Sequence, residues 1–209
     1  MIIIQARLNS TRLPLKILKK INKKRIIDHV VSRCTGSGIG PVVIATPDPL
    51  QVKNAVVVQV GNVPEWDVAA RFARVLRHMK PEAFIRVCAD SPFLPSSVIR
   101  DVWDARKLDD CDYVFTQGFV SGHQAEAFKT STFLKEMDSF DRHEREHLGL
   151  YFRNRLEDFS HSVLVNDGPQ PPLKMSVDTE EDLGRIKFFV SGREHESGSN
   201  RLGGRPRTS

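Results

Sequence analysis

Short, uninterrupted apolar runs that each end in polar residues constrain this chain more than any other feature of its sequence. Residues 1–4 (MIII) run straight into the polar stretch 5–16, and similar runs recur at 41–45 (PVVIA), 55–60, 83–87 (AFIRV), 112–116, 161–165 and 173–177. Such runs are too short for buried helices and have the length of strands covered on both faces. Between them lie segments of helical period. Residues 65–79 place Val68, Phe72, Val75, Leu76 and Met79 on one face, residues 97–108 follow Pro95, and 130–138, 142–156 and 180–190 follow in the second half. Residues 16–34 show a helix-like pattern with a polar break at 22–25. The alternation predicts an α/β fold: an open, mostly parallel sheet with helices on both faces.

A length of 209 residues, 40% of them apolar, suits one core and a small appended lobe rather than two full domains. Residues 1–190 are expected to form one domain. From 191 the chain turns to Gly, Ser and Arg with Leu202 as the one sizeable apolar residue, so 191–209 is expected to be a disordered tail. With no secretory signal and no apolar run of membrane-spanning length, the expectation is a cytoplasmic protein without a membrane partner. Cys34, Cys88 and Cys111 have no metal-binding spacing and read as reduced thiols.

The net charge of +5 is concentrated at one end. Up to Arg33 there are nine Lys and Arg against Asp28 alone, which puts +8 there and leaves the rest of the chain net negative. A local cationic field suits a polyphosphate or a nucleic acid. The cluster lacks interleaved aromatics and matches no nucleic-acid reader motif, which favours a small polyanion over nucleic acid. Lys19 to Arg25 also fits a plain solvated turn.

Ligands of open α/β sheets bind beyond the carboxyl ends of the strands. The residues there are 5–16, 46–48, 61–67, 88–92 and Asp178. Arg7, Arg12 and Lys16 can hold phosphate oxygens, and Asp90 and Asp178 can hold a divalent ion. That combination describes phosphoryl or nucleotidyl transfer. Taken singly, each acid has a plainer role as a turn or helix cap.

In order along the chain, IIIQARLNSTRLPLKIL, VVIATPD, DVAARF, FIRVCADSPFL, EREH and SVDTEEDL resemble the spore-coat polysaccharide cytidylyltransferase family. That family is related to the acylneuraminate and 3-deoxy-manno-octulosonate cytidylyltransferases. The resemblance spans roughly residues 1–189. It implies a three-layer, Rossmann-like fold of the nucleotidyltransferase type and an enzyme, with Mg²⁺, that transfers CMP from CTP to a sugar or sugar acid and releases pyrophosphate. The same resemblance puts the backbone of Gln5 and Ala6 along the nucleotide, Arg7, Arg12 and Lys16 on the triphosphate, and Asp67 and Arg71 nearby. Asp90 and Asp178 would be the metal carboxylates, with Arg12, Lys16 and Asp90 taking part in the chemistry. Glu126, Arg145 and His147 would lie toward the sugar. Pairing as a homodimer through the second half is a further implication.

Three departures accompany the matches. The family pattern has glycine where this chain has Asn9 and Leu15, and aspartate in place of Gln124; the stretch 48–61 is also short, implying a trimmed helix. Glycine tolerates positive φ where leucine does not, so a nucleotide-binding member without catalysis is a second expectation. His143-Glu144-Arg145-Glu146-His147 also fits the H-E-x-x-H zinc pattern, which would need a third ligand such as His161. His123 is expected in solvent or near a sugar. Trp66 and Trp103 are expected to be partly buried.

Overall fold

The computed structural model describes residues 1–172 and 174–199, with side chains as far as residue 191. In chain order the strands are β1 (Ile2–Gln5), β2 (Lys20–Ile21), β3 (Lys24–Arg25), β4 (Val42–Thr46), β5 (Val56–Gln59), β6 (Ala83–Cys88), β7 (Tyr113–Gln117), β8 (Glu126–Lys129) and β9 (His161–Val165). The α-helices are α1 (Ile26–Gly36), α2 (Val68–Met79), α3 (Ser96–Asp109), α4 (Thr130–Glu136), α5 (Arg142–Glu146), α6 (Gly149–Arg153) and α7 (Glu180–Ser199). Seven strands form one sheet in the order β5-β4-β1-β6-β8-β7-β9, with β8 antiparallel to both its neighbours and the other pairs parallel.

The unbroken apolar run at the start has a direct structural cause. Ile2 and Ile4 pack with α1 and α3 on one face of the sheet, while Met1 and Ile3 pack with α2 on the other, so residues 1–4 need to be apolar. This makes the three layers of a nucleotidyltransferase-type α/β fold. The α2 face continues into an aromatic cluster in which Phe128 lies 5.1 Å from Phe84, 5.0 Å from Tyr113 and 5.3 Å from Phe152 between ring centroids. A third, smaller cluster of Leu13, Ile21, Ile26, Val177, Leu183 and Ile186 joins the first loop to α7. It is this lobe that brings the end of the chain back to the loop after β1.

Several elements differ from expectation. The helix-like stretch 16–34 is a 3-10 turn at Lys16–Leu18, the β2–β3 hairpin and then α1; Asn22 and Lys23 both have positive φ, as a two-residue hairpin turn requires, so the polar break is the turn itself. β8 carries no apolar run long enough to stand out, since its first residue is Glu126. Residues 142–156 split into α5 and α6 instead of forming one helix. The break brings Gly149 against β8, where a Cβ would run into the Glu126 carboxylate and the Tyr113 hydroxyl. Residues 174–177 form no strand; Leu173 lies outside the described residues. The connection 47–55 holds no helix, in line with the expected trimming. The expected disordered tail is helical in backbone as far as Ser199, where Arg193, Glu194 and Glu196 are good helix formers; its last ten residues lie outside the described residues.

Phe128, fully buried among those rings, should cost about 3–5 kcal/mol when replaced by alanine. Leu108→Ala, at a site 87% exposed, should change stability by less than about 0.5 kcal/mol. Urea unfolding of both variants measures the contrast.

Candidate active site

β1, β4 and β6 are parallel neighbours, so Gln5, Thr46 and Cys88 end at one edge of the sheet. The loop after β1 is anchored there by side chains from elsewhere. Asp48 accepts from the Leu8 amide at 2.6 Å, and the buried Arg71 of α2 donates to the carbonyls of Ala6 and Glu65, each at 3.1 Å. Asn9 reaches Glu65 at 3.1 Å. The loop turns at Leu15, which has φ 55° and ψ 26°, the left-handed conformation that leucine disfavours. The backbone adopts it nonetheless, so the loop keeps the form that glycine would permit. Asn9, by contrast, is not among the positive-φ residues and needs no glycine.

That turn delivers Lys16 to a position between two acids. Its Nζ lies 2.7 Å from Asp90 Oδ2 and 3.2 Å from Asp178 Oδ1, with the lysine side chain only 12% exposed. Arg12 donates to the same Asp178 oxygen at 3.0 Å, and Lys174 donates to its other oxygen at 3.0 Å. Partial burial by itself would raise the Asp178 carboxyl, but Lys174 and Lys16 outweigh it and hold it below the ordinary aspartate value. Arg7 faces Glu65 at 3.5 Å and Glu146 at 3.7 Å.

Two hollows of about 190 and 210 Å³ meet at this point, and Arg86, Cys88, Asp90 and Asp178 line both. One also takes in Gln5, Ala6, Arg7, Arg12, Lys16 and His147. The other is bordered by Glu126, Arg153, Gln124 and the hydroxyls of Ser91, Thr116, Ser121 and Ser176. At its rim Gly122 has φ 93°, and a Cβ there would collide with the backbone of Met175 and Ser176.

A buried polar ladder lines the same hollow as the two acids. Arg86 Nε donates to Gln5 Oε1 at 3.0 Å and its Nη1 to Glu126 Oε2 at 2.7 Å; the Tyr113 hydroxyl donates to Glu126 Oε1 at 2.5 Å, and Arg153 pairs with that oxygen at 3.3 Å. Burial works to raise the Glu126 carboxyl, yet the two guanidiniums and the tyrosine hold it below its ordinary value. Burial also raises the Cys88 thiol and, well above its usual range, the Tyr113 hydroxyl, so both keep their protons.

Not every expected residue lies in the cleft. Arg71 is a buried tether. Asp67 caps α2 by accepting from the Ala70 amide at 2.9 Å and pairs with Arg145 at 3.1 Å, while Arg145 also holds the Met137 carbonyl at 2.8 Å and borders a separate hollow. Of the three residues expected on the sugar side, Glu126 alone borders the hollow lined by Arg153 and Gln124, and His147 stands in the one lined by Gln5 and Lys16. His143 and His147 have ring centroids 4.7 Å apart, but Glu144 is buried, forms a capping box with Asp141 and pairs with Arg155 at 2.8 Å, so it cannot serve as a zinc site's base. Among the described residues no group of three or more His, Cys, Asp and Glu is placed to hold a metal, and no helix is long and apolar enough to cross a membrane. Arg86, Arg153 and Lys174 were not anticipated from the sequence.

A cationic loop at the carboxyl edge of such a sheet, with acids facing it, defines a nucleotidyltransferase. The cytidylyltransferase family model matches residues 1–188, and the chain belongs to that family. It is 28% identical over 202 residues to the spore coat polysaccharide biosynthesis protein SpsF of Bacillus subtilis, covering 88% of this chain and 83% of that one. To the 3-deoxy-manno-octulosonate cytidylyltransferase of Idiomarina loihiensis it is 35% identical over 111 residues, 49% of this chain and 44% of the relative. The solved structure of a cytidylyltransferase from Leptospira borgpetersenii shares the fold with a TM-score of 0.80 at 20% identity, covering 100% of this chain and 98% of the other. A CMP:2-keto-3-deoxy-manno-octonic acid synthetase complexed with CTP shares it at 0.71 and 17%, covering 92% and 98%.

Two outcomes are expected. Glu126 and Asp178 have folded pKa values below their unfolded ones, so their stabilisation is complete above the unfolded values and is lost as pH falls through the folded ones. Unfolding free energy should therefore drop between about pH 5 and pH 2, with a shallower slope in Glu126→Gln, as read by urea titrations at each pH. Leu15→Gly removes left-handed strain worth about 1–2 kcal/mol, offset in part by unfolded-state entropy of about 0.4–1 kcal/mol. Its melting temperature should stay level or rise, because the leucine side chain is 52% exposed and little burial is lost.

Proposed function

We propose that this enzyme transfers CMP from CTP to a sugar or sugar acid and releases pyrophosphate, with Mg²⁺, in the synthesis of a surface polysaccharide. The observation that carries the reading is Lys16, which meets both Asp90 and Asp178 although the two acids lie far apart along the chain. A site that already holds one cation between two carboxylates has the donors a magnesium ion takes when substrate phosphates complete its shell. Asp90 and Asp178 would hold the ion, which when bound neutralises charge on the phosphates. The similarity to SpsF and to the octulosonate enzymes supports the acceptor class, and the cationic loop supports a triphosphate.

The chain's own residues act by positioning and by matching charge. An acceptor oxygen forms a bond to the α-phosphorus as the bond to the β-phosphate oxygen breaks, and charge grows on the departing pyrophosphate. Arg7, Arg12 and Lys16 would hold that group. In the free protein Arg12 and Lys16 are neutralised by Asp178 and Asp90, so a triphosphate draws them away and leaves Asp90 and the Oδ1 oxygen of Asp178 open, with Lys174 still on Oδ2. The hollow beside Glu126 and Gln124 offers hydroxyl, amide and carboxylate partners to a sugar, while Gln5 and Ala6 border the nucleotide side.

Asp90→Asn should lower pyrophosphate release from CTP by about 10²–10³-fold with folding intact, and Lys16→Met should weaken CTP binding by about tenfold or more. Calorimetry and a coupled pyrophosphate assay over a panel of sugar acids and neutral sugars give both values. Undiminished turnover in Asp90→Asn would remove that residue from the mechanism. A wild-type protein that neither binds CTP nor releases pyrophosphate with any acceptor ends the reading.

A further inference from the structure

Arg86 is the one cation placed on the shared wall of the two hollows, and nothing in the functional reading above uses it. It stands mid-sheet on β6, directly opposite Glu126 on β8 and two residues out of register with Gln5 on β1. Its guanidinium is clamped from both sides: Nε by Gln5 at 3.0 Å, Nη1 by Glu126 at 2.7 Å. The third nitrogen, Nη2, takes no partner among the described residues and is not among the buried polar atoms left unsatisfied, so its N–H groups face the cleft. The side chain is 13% exposed overall. A planar fork fixed at two corners with its third turned to a wet cavity is preorganised to donate to an anionic oxygen.

Charge favours such a guest. Glu126 is one carboxylate facing two guanidiniums, Arg86 and Arg153, which leaves an unmatched positive charge within this group. The junction of the hollows is also where a nucleotide on one side meets an acceptor on the other. We infer that Arg86 is a substrate-contacting residue that donates to an anionic oxygen at this junction, carried either by the α-phosphoryl group or by the acid group of the acceptor. The inference rests on the reading of the cleft as a nucleotidyl-transfer site.

The test uses the full chain, Arg86→Gln, and Arg86→Lys, which keeps the charge beside Glu126 but lacks the fork. Circular dichroism melts identify which variants fold, and Arg86→Lys carries the test if Arg86→Gln does not. Cytidine, CMP and CTP are titrated by calorimetry with Mg²⁺ present, and KM is measured for a sugar acid and for a neutral sugar of similar size. A contact to the α-phosphoryl group lowers CMP affinity by about tenfold or more while cytidine affinity stays within about twofold. A contact to the acceptor leaves the nucleotides unchanged and raises KM for the sugar acid by about tenfold with that for the neutral sugar constant. Either result upholds the assignment. Unchanged values throughout, or an equal loss for every ligand including cytidine, overturn it, the second being the signature of a purely structural role. If the wild type binds no cytidine nucleotide, the nucleotidyl-transfer reading fails, and inorganic phosphate becomes the probe. Phosphorus NMR line broadening in wild type that Arg86→Lys abolishes keeps the anion contact, and equal or absent broadening in both overturns it.

Discussion

A single ammonium group held between Asp90 and Asp178 is the contact on which the arrangement of the cleft depends. Asp90 follows β6 in the middle of the sheet, Asp178 precedes α7, and Lys16 arrives on the loop after β1, so three distant stretches must be placed correctly for the contact to exist. The burial of Leu13, Ile21 and Ile26 against Val177, Leu183 and Ile186 does the placing. Apolar area supplies the attraction there, and the polar groups supply the direction. Lys174 adds a further tie by bridging Asp178 and Asp182 at 3.0 and 2.8 Å, and Asp182 in turn accepts from the amides of Asp178 and Thr179 at the start of α7. The terminal helix is thereby built into the cleft through its first turn.

The same contact shapes how ligands compete for the site. Breaking a partly buried pair by removing one partner leaves an uncompensated charge, which costs far more than the pair itself contributes. On the proposed reading, a triphosphate would take over the cations while its divalent ion takes over the uncovered acids, so no charge would be left without a partner during exchange. Phosphate and divalent cation would then favour each other's binding, a coupling that is reciprocal by thermodynamic necessity. Neither the acids nor the cations need to be strained for this to hold. What matters is that they are neighbours before substrate arrives.

How much of this was legible in the sequence depended on which residues declared themselves through periodicity. The apolar runs at 1–4, 41–45 and 83–87 and the stripe on 65–79 gave the layers, because residues buried on two faces or on one stripe leave a pattern. The convergence of Arg12, Lys16, Asp90 and Asp178 followed from their positions at strand ends together with the family resemblance. β8 was not legible, because it begins with a buried glutamate whose partners come from three other elements. The β2–β3 hairpin passed for a helix because its apolar residues happen to recur at helical spacing. Arg145 and His147, adjacent to Glu146 in one motif, part ways in the structure because α5 is only one turn long and Asp67 at the cap of α2 takes Arg145.

Arg86 carried a signal that periodicity alone would have discounted. In AFIRVC it interrupts a strand otherwise buried on both faces, and a charged residue in such a place is rarely tolerated unless it is paired. The pairing is there, across β8 to Glu126 and along β1 to Gln5, and it extends through Tyr113 and Arg153 until one polar ladder crosses four adjacent strands, β1, β6, β8 and β7. On the same face, two residues along β6 and β8, Phe84 and Phe128 pack with Phe133 and with the Tyr113 ring of the ladder itself. The rings brace the ladder from alongside, and the ladder inherits their rigidity, which is what a site acting by preorganised charge requires. A buried ladder of ion pairs often gains nothing for folding over an apolar layer of the same shape. Its persistence at the junction of two hollows is therefore better understood through what it presents to a ligand than through what it adds to stability.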